Sequence, residues 1–408
     1  MNILFLIALI LFWSILLYYS VLIITGVLHR KNKERLEPLE TYPSLDIFIP
    51  SHNEGVVMVH TLTAMAKLEY PGDMQIYVLN DNSQDETGQI AEQFAAKYSH
   101  IHHIEVPDSD EPKGKSRVLN YGLSISNGEY FIVYDADNQP NPDAAVRLME
   151  ITIRTQNACG AVGCVRTLNA QANWLTRFIA IEFKVFQLMM QSGRYFLHEI
   201  GSLPGTNMLL KRSILMDLGG YDPYALAEDG ELTIRLASKG YIIAVDPHSQ
   251  TWEQEPQTLK ALIKQRTRWL QGNLYVMGKF FKEPTWWTRQ CIIHLIYYLT
   301  VYVIFTGLLL VTNVVFILGL LGFVHIDSNV PYFFLWVCTY LLYTGQLVCA
   351  LWYDKKITIK YLISAFLMYF SYAQLFILLL GRASWLVLQD KKKGTVSWDK
   401  TERVVIKN

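Results

Sequence analysis

The sequence predicts an α/β domain, built on a mostly parallel sheet and set between membrane helices. Three observations predict it. Uncharged apolar runs occupy residues 1–28, 290–326, 328–353 and 361–381, and none of comparable length lies between 36 and 285. Within that interval, short β-branched and aromatic runs alternate with helical stretches, as in a parallel sheet covered on both faces. Three strand candidates end in polar, carboxylate-bearing segments, at the strand ends where such sheets hold ligands.

Composition agrees. Lys plus Arg and Asp plus Glu each number 36, and only 18% of residues are charged. Soluble domains average about a quarter. A disordered chain and a basic nucleic-acid binder are excluded, so no nucleic-acid partner is expected. The five cysteines form no CxxC pair, which argues against a disulfide framework or a zinc site.

Residues 1–28 are long enough, at ~1.5 Å per residue, to cross ~30 Å of hydrocarbon. They lack the basic start and cleavage site of a signal peptide and read as an uncleaved anchor. His29, Arg30, Lys31, Lys33 and Arg35 follow. By the positive-inside rule this flank is cytosolic. The expected order is an anchor at 1–28, a linker at 29–44 and a cytosolic domain at 45–256. An amphipathic interfacial helix at 257–289, a membrane block at 290–389 and a cytosolic tail at 390–408 complete it. Three simple crossings after the domain would leave the C-terminus outside, yet Lys391, Lys392 and Lys393 favour the inside. Either 361–389 lies partly in the interface, or one long run holds an extra turn.

Strands are expected at 45–50, 74–79, 101–106, 129–134 and 159–165, with helices at 55–68, 85–98, 115–125 and 142–155. The first strand is followed by Ser51-His52-Asn53-Glu54, the second by Asn80-Asp81-Asn82-Ser83 and the fourth by Asp135-Ala136-Asp137. One such end is ordinary turn chemistry. Three together point to a site for a cation or for sugar hydroxyls.

Asp135 and Asp137 supply hard oxygen ligands suited to Mg²⁺ or Mn²⁺; alone they would also suit a solvated turn. Lys113-Gly114-Lys115, just before a helix, fits either an anionic leaving group or a basic turn. Ala227-Glu228-Asp229 opens a helix whose N-terminus tends to lower a carboxylate pKa. A carboxylate held ionised there can act as a base, or simply pair with the dipole. Gln265-Arg266-Thr267-Arg268-Trp269 lies on a basic amphipathic helix at about 257–282. Arginine binds diphosphate and tryptophan stacks on sugars, while interface anchoring alone would also explain the pattern.

Taken in order, VLNDNSQDET, KGKSRVLNYGL, DAD, PGTN, AED and QRTRW resemble the processive family 2 glycosyltransferases, the group of cellulose, hyaluronan and chitin synthases. Size and the short anchor are most similar to bacterial poly-N-acetylglucosamine-type exopolysaccharide synthases. The resemblance covers about 44–285 and implies a GT-A-type, Rossmann-like domain. It implies an inverting, processive transferase that uses Mg²⁺ or Mn²⁺ and a UDP-sugar, with UDP-N-acetylglucosamine ahead of UDP-glucose. The alternative is a single transfer to a membrane lipid. Asp229 matches the general base. Asn53, Glu54, Asp81, Lys115, Asp135, Gln265, Arg266 and Arg268 fall to the donor. Gly205, Thr206, Asn207 and Trp269 fall to the acceptor, and Asp137 with Asp135 to the metal. Implied partners are the UDP-sugar, a growing polysaccharide or glycolipid, membrane lipid and, in some members of the group, a small membrane subunit. The implied location is the plasma membrane, with several crossings and the catalytic domain in the cytosol. Trp398 to Arg403 resemble a cytosolic tail. Asn80 and Ala227 depart from the pattern, where relatives carry an aspartate and a threonine.

Overall fold

A computed structural model describes residues 2–32, 36–109, 112, 114–323 and 332–393. Lys113 and the tail from 394, including Trp398 to Arg403, lie outside the described residues, as do the side chains of Lys391 to Lys393.

The domain is one sheet of eight strands. They are β1 Leu45–Ser51, β2 Met74–Asn80, β3 Ile101–Glu105, β4 Tyr130–Val133, β5 Gln139–Pro140, β6 Ala158–Thr167, β7 Met208–Lys211 and β8 Ile242–Glu253. Their spatial order is β3-β2-β1-β4-β7-β6-β8-β5. The first four are mutually parallel, as the strand-helix alternation requires, with Ile47 beside both Ile76 and Ile132. The sheet as a whole is mixed, because β7 runs antiparallel to both β4 and β6, and β5 runs antiparallel to β8. Side chains alternate between faces along each strand. Ile47, Ile49, Ile76 and Ile132 pack on Met58 and Leu62 of the helix Gly55–Met65. Phe48, Phe131 and Val133 pack on the other side against Leu119, Leu232 and Leu236. Both faces are therefore filled, and only the strand ends are left to hold polar groups.

β7 and β8 were not expected. β7 is four residues long. β8 loses its period of two at Asp246-Pro247-His248-Ser249: Val162 pairs with Val245, but Cys164 pairs with Gln250. The extra residues bulge out of the ladder, and a proline cannot donate to it.

A helix that the sequence reading missed, Trp174–Phe186, starts at an Asn173–Thr176 capping box and runs into a π-helical segment, Gln187–Gly193. The N-terminal helix Asn2–Asn32 crosses that segment at backbone contact. A side chain on Gly26 would overlap the Leu188 carbonyl, and one on Gly193 the Leu22 carbonyl. Three helical stretches, Ile7–Lys31, Arg289–Gly319 and Tyr372–Gln389, are long and apolar enough to cross a membrane. The helix Tyr332–Tyr353 adds 22 residues without a charge.

The apolar run 361–381 is split. The helix Ile359–Met368 folds back along Tyr332–Tyr353, with Tyr361 and Ala365 against Leu347 and Leu351 and the Tyr340 hydroxyl donating to the Phe366 carbonyl at 2.9 Å. The chain then turns, and Tyr372–Lys393 lies against the amphipathic helix Leu259–Phe280, with Leu379 and Ala383 on Leu270. An ion cluster ties these parts together. Asp354 receives Arg30, Arg166 and Lys184, from the N-terminal helix, β6 and the helix Trp174–Phe186.

Candidate active site

The strand ends, the loop before β7, the start of the helix Glu228–Ser238 and one face of Leu259–Phe280 enclose a cavity of about 310 Å³. One end is built by the loops that follow β1 and β2. The Asp81 N–H donates to the Ser51 carbonyl at 2.8 Å, and the His52 ring nitrogen Nδ1 lies 2.6 Å from the Asp81 carbonyl. Arg117, which the sequence reading did not select, pairs with the Asp81 carboxylate and donates to the Pro107 carbonyl. Glu54 is also on the wall.

Asn53 is not. It occupies the left-handed region at φ 52°, and its Oδ1 accepts from the Gln84 N–H at 2.7 Å. It braces one loop against the next. Asn80 is buried and donates to Glu105 Oε1 at 2.7 Å.

The centre of the cavity is Lys115. Its Nζ lies 2.6 Å from Asp135 Oδ1, 2.6 Å from the Gly205 carbonyl and 3.5 Å from Glu228 Oε1. Burial pulls its pKa down, but the Asp135, Glu228 and Asp229 charges outweigh that and raise it. Lys115 thus remains a cation. Asp229 sits at the first turn of its helix, where its Oδ1 accepts from the Gly230 N–H at 2.7 Å. The expected lowering of its pKa by the helix dipole is outweighed. Burial, then the adjacent Glu228 charge, push the carboxyl up to about 7, against the pull of Lys115. A carboxylate that titrates near neutrality is better matched to a hydroxyl proton than one held ionised.

Gly205 and Thr206 are on the wall. Gly205 has φ +83°, and a Cβ there would lie 3.1 Å from Asp229 Oδ2. Thr206 Oγ1 accepts from the Asp135 N–H at 3.1 Å and donates to Asn138. Asn207, expected at the acceptor, is fully buried and bonded to Ser249. It is a structural brace. Ala227 packs tightly on Gly272, where a side chain would meet the Ala227 Cβ and backbone nitrogen. The amphipathic helix packs directly on the chain that leads into Asp229.

The two expected metal carboxylates diverge. Asp135 is on the cavity wall, whereas Asp137 is 2% exposed and accepts from the Gln254 N–H at 3.1 Å. Among the described residues no three His, Cys, Asp or Glu side chains gather as a metal cage. Asp135 alone fits a hard cation that takes its remaining ligands from a diphosphate and water.

Gln265, Arg266, Arg268 and Trp269 line the far wall, and the buried Gln265 Oε1 has no hydrogen-bond partner among the described residues. Of these, Arg266 is engaged within the protein. Its Nη2 donates to Glu182 Oε2 at 2.7 Å, and its guanidinium lies 4.0 Å from the Trp269 ring centre. Beyond Trp269 the wall is aromatic, with Tyr297, Tyr298, Tyr302 and Phe376 from the apolar helices.

Comparison with known proteins decides the family. A profile described as "Glycosyltransferase like family 2" matches residues 43–272. The chain belongs to glycosyltransferase family 2. It is 39% identical to a Bacillus subtilis (strain 168) protein named "Probable glycosyltransferase YdaM", over 98% of each chain. A poly-beta-1,6-N-acetyl-D-glucosamine synthase of Staphylococcus epidermidis is 27% identical over 70% of this chain and 66% of its own length. A beta-monoglucosyldiacylglycerol synthase of Trichormus variabilis is 28% identical over 60% of this chain and 52% of its own. The Pyrobaculum calidifontis mannosyltransferase PcManGT, solved with GDP-Man and Mn²⁺, superposes with a TM-score of 0.56 at 16% identity, covering 89% of this chain and 99% of that one. That likeness speaks to the fold, a GT-A-like mixed sheet.

Proposed function

We propose that this glycosyltransferase polymerises a sugar from a UDP-sugar, UDP-N-acetylglucosamine, into a β-linked exopolysaccharide, with inversion at each transfer. The observation that carries the reading is the continuous cavity. It runs from Asp81 past Lys115 and Asp229 to Trp269 and the tyrosines of the apolar helices. A donor fits the first end, and the aromatic end among the apolar helices fits a product that stays attached.

Asp81 and Arg117 hold the base end of the donor. Gln265 and Arg268 flank the diphosphate, and Lys115 offers it a fixed ammonium. Trp269 supports the terminal acceptor sugar. Asp229 takes the proton of the acceptor hydroxyl, the oxygen attacks the anomeric carbon, and the bond from that carbon to the diphosphate breaks on the opposite face. UDP departs with the electron pair, stabilised by these cations. A Mg²⁺ or Mn²⁺ held by Asp135 supplies further neutralisation of the diphosphate when bound.

The protein is read as membrane-bound with several crossings, its catalytic domain on the cytosolic side. The turn after Met368 and the packing of Leu379 and Ala383 on Leu270 bring the last helix back to the amphipathic helix. This supports the reading that part of 361–389 lies in the interface, and with it a cytosolic C-terminus.

A second reading has a specific observation behind it, the similarity to a lipid glucosyltransferase over 248 residues. Product size separates the two. Incubation with UDP-N-acetylglucosamine yields a polymer under the first reading and a lipid bearing one sugar under the second.

A further inference from the structure

Glu182 is a carboxylate that the transfer step leaves unused. It projects from the helix Trp174–Phe186, outside every motif of the sequence. Arg266 Nη2 donates to its Oε2 at 2.7 Å, and the Tyr372 hydroxyl donates to the same oxygen at 2.6 Å. Tyr372 starts the last apolar helix, so three elements meet at this atom. The guanidinium of Arg266 lies between Glu182 and the Trp269 ring, and Phe183 meets that ring edge-on at 6.4 Å.

Exposure divides the cluster. The Arg266 and Tyr372 side chains are sealed, whereas that of Glu182 is 28% exposed, on the cavity wall beside Trp269. Both hydrogen bonds fall on Oε2. Oε1 is therefore the part of the cluster that a molecule stacked on Trp269 meets. A carboxylate oxygen accepts from hydroxyls and repels phosphate or a second carboxylate. Arg266, bonded to Oε2 and stacked 4.0 Å from the ring centre, offsets part of that charge and leaves Oε1 as an acceptor.

We propose that Glu182 is an acceptor-binding and specificity-determining residue. Its Oε1 accepts hydrogen bonds from the hydroxyls of an uncharged sugar stacked on Trp269, and its charge excludes acceptors that end in an anionic group. Arg266 and Tyr372 are positioning residues, which fix the carboxylate and the ring relative to each other. The inference deepens the transferase reading of the same cavity and rests on it.

The test is acceptor binding without turnover, by calorimetry on the full chain in phosphatidylcholine nanodiscs with saturating UDP. The probes are a β-linked N-acetylglucosamine tetramer and the same tetramer ended by a glucuronate. Wild type binds the neutral probe about tenfold or more tightly than the anionic one, since a hydrogen bond to a charged group contributes about 1.5–3 kcal/mol. Glu182→Gln removes the charge and keeps the shape, and the ratio falls to within about threefold, with UDP affinity changed less than about twofold. Tyr372→Phe keeps the carboxylate; it weakens both probes together and preserves the ratio. A purely structural Glu182 would lower both affinities and leave the ratio intact in Glu182→Gln, which overturns the proposal. So does a wild type that fails to prefer the neutral probe. If instead the ratio behaves as stated while no UDP-sugar releases UDP, the transferase reading fails and the binding assignment stands.

Discussion

Replacing Asp229 by Asn should make the protein more stable and inactive at the same time, and pH should reveal why. In the fold, burial and the Glu228 charge raise the Asp229 carboxyl from 3.8 to about 7. The unfolded chain releases that proton near pH 4, the folded chain near pH 7. The folded state therefore holds an extra proton between those values. Its stabilising contribution is complete below about pH 4 and is lost as pH rises through about 7. A rise of this direction and size, at ~1.4 kcal/mol per pKa unit, puts the cost of the buried charge at pH 8 on the order of a few kcal/mol. Asn retains an acceptor for the Gly230 N–H and carries no charge. Asp229→Asn should melt somewhat above the wild-type temperature at pH 5, where the unfolded wild type has already released its proton, and further above it at pH 8, measured by fluorescence in detergent. Its kcat should fall by about 10²–10⁴-fold, and the wild-type kcat/KM should rise with pH through about 7. A variant that melts below wild type at both pH values, or keeps more than about a tenth of the rate, would refute the reasoning.

Lys115→Ala removes the cation that opposes the rise at Asp229, so the acid limb of the activity profile should move upward by roughly one unit or more, read from kcat/KM against pH. Gly205→Ala places a methyl 3.1 Å from Asp229 Oδ2 on a backbone at φ +83°; it should cost about 1–3 kcal/mol in unfolding and lower kcat more than donor affinity. Asp354→Asn leaves Arg30, Arg166 and Lys184 without their carboxylate; about 3–5 kcal/mol should be lost, visible as earlier melting in detergent.

Much of this was legible in the sequence, for a physical reason. β1, β2 and β4 are buried on both faces, so their apolar runs stop sharply at the polar strand ends. Asp81, Lys115, Asp135, Gly205, Asp229 and Gln265 to Trp269 all reached the cavity wall apart from Thr267, which was never assigned to it. Position along the chain did not reveal direction. Asp137 and Asn207 lie beside wall residues, but local turn geometry aims them inward, where Gln254 and Ser249 hold them. β8 was hidden because its bulge at Pro247 breaks the alternation by which a strand is recognised. Glu182 carried no signal at all. Its meaning comes from Arg266 and Tyr372, which lie 84 and 190 positions away in the chain. Arg266 was legible as a wall residue but its pairing with Glu182 was not, because a basic residue on a helix shows its charge but not its partner.

The measurement that tests the central claim most directly is UDP release by the purified full chain in lipid, with UDP-N-acetylglucosamine or UDP-glucose, each with Mn²⁺ or EDTA, followed by sizing of the product. Metal-dependent release from UDP-N-acetylglucosamine, together with a polymeric product, is the predicted result. Release that leaves only a lipid carrying one sugar would contradict processive synthesis, and no release from either donor would contradict the donor assignment.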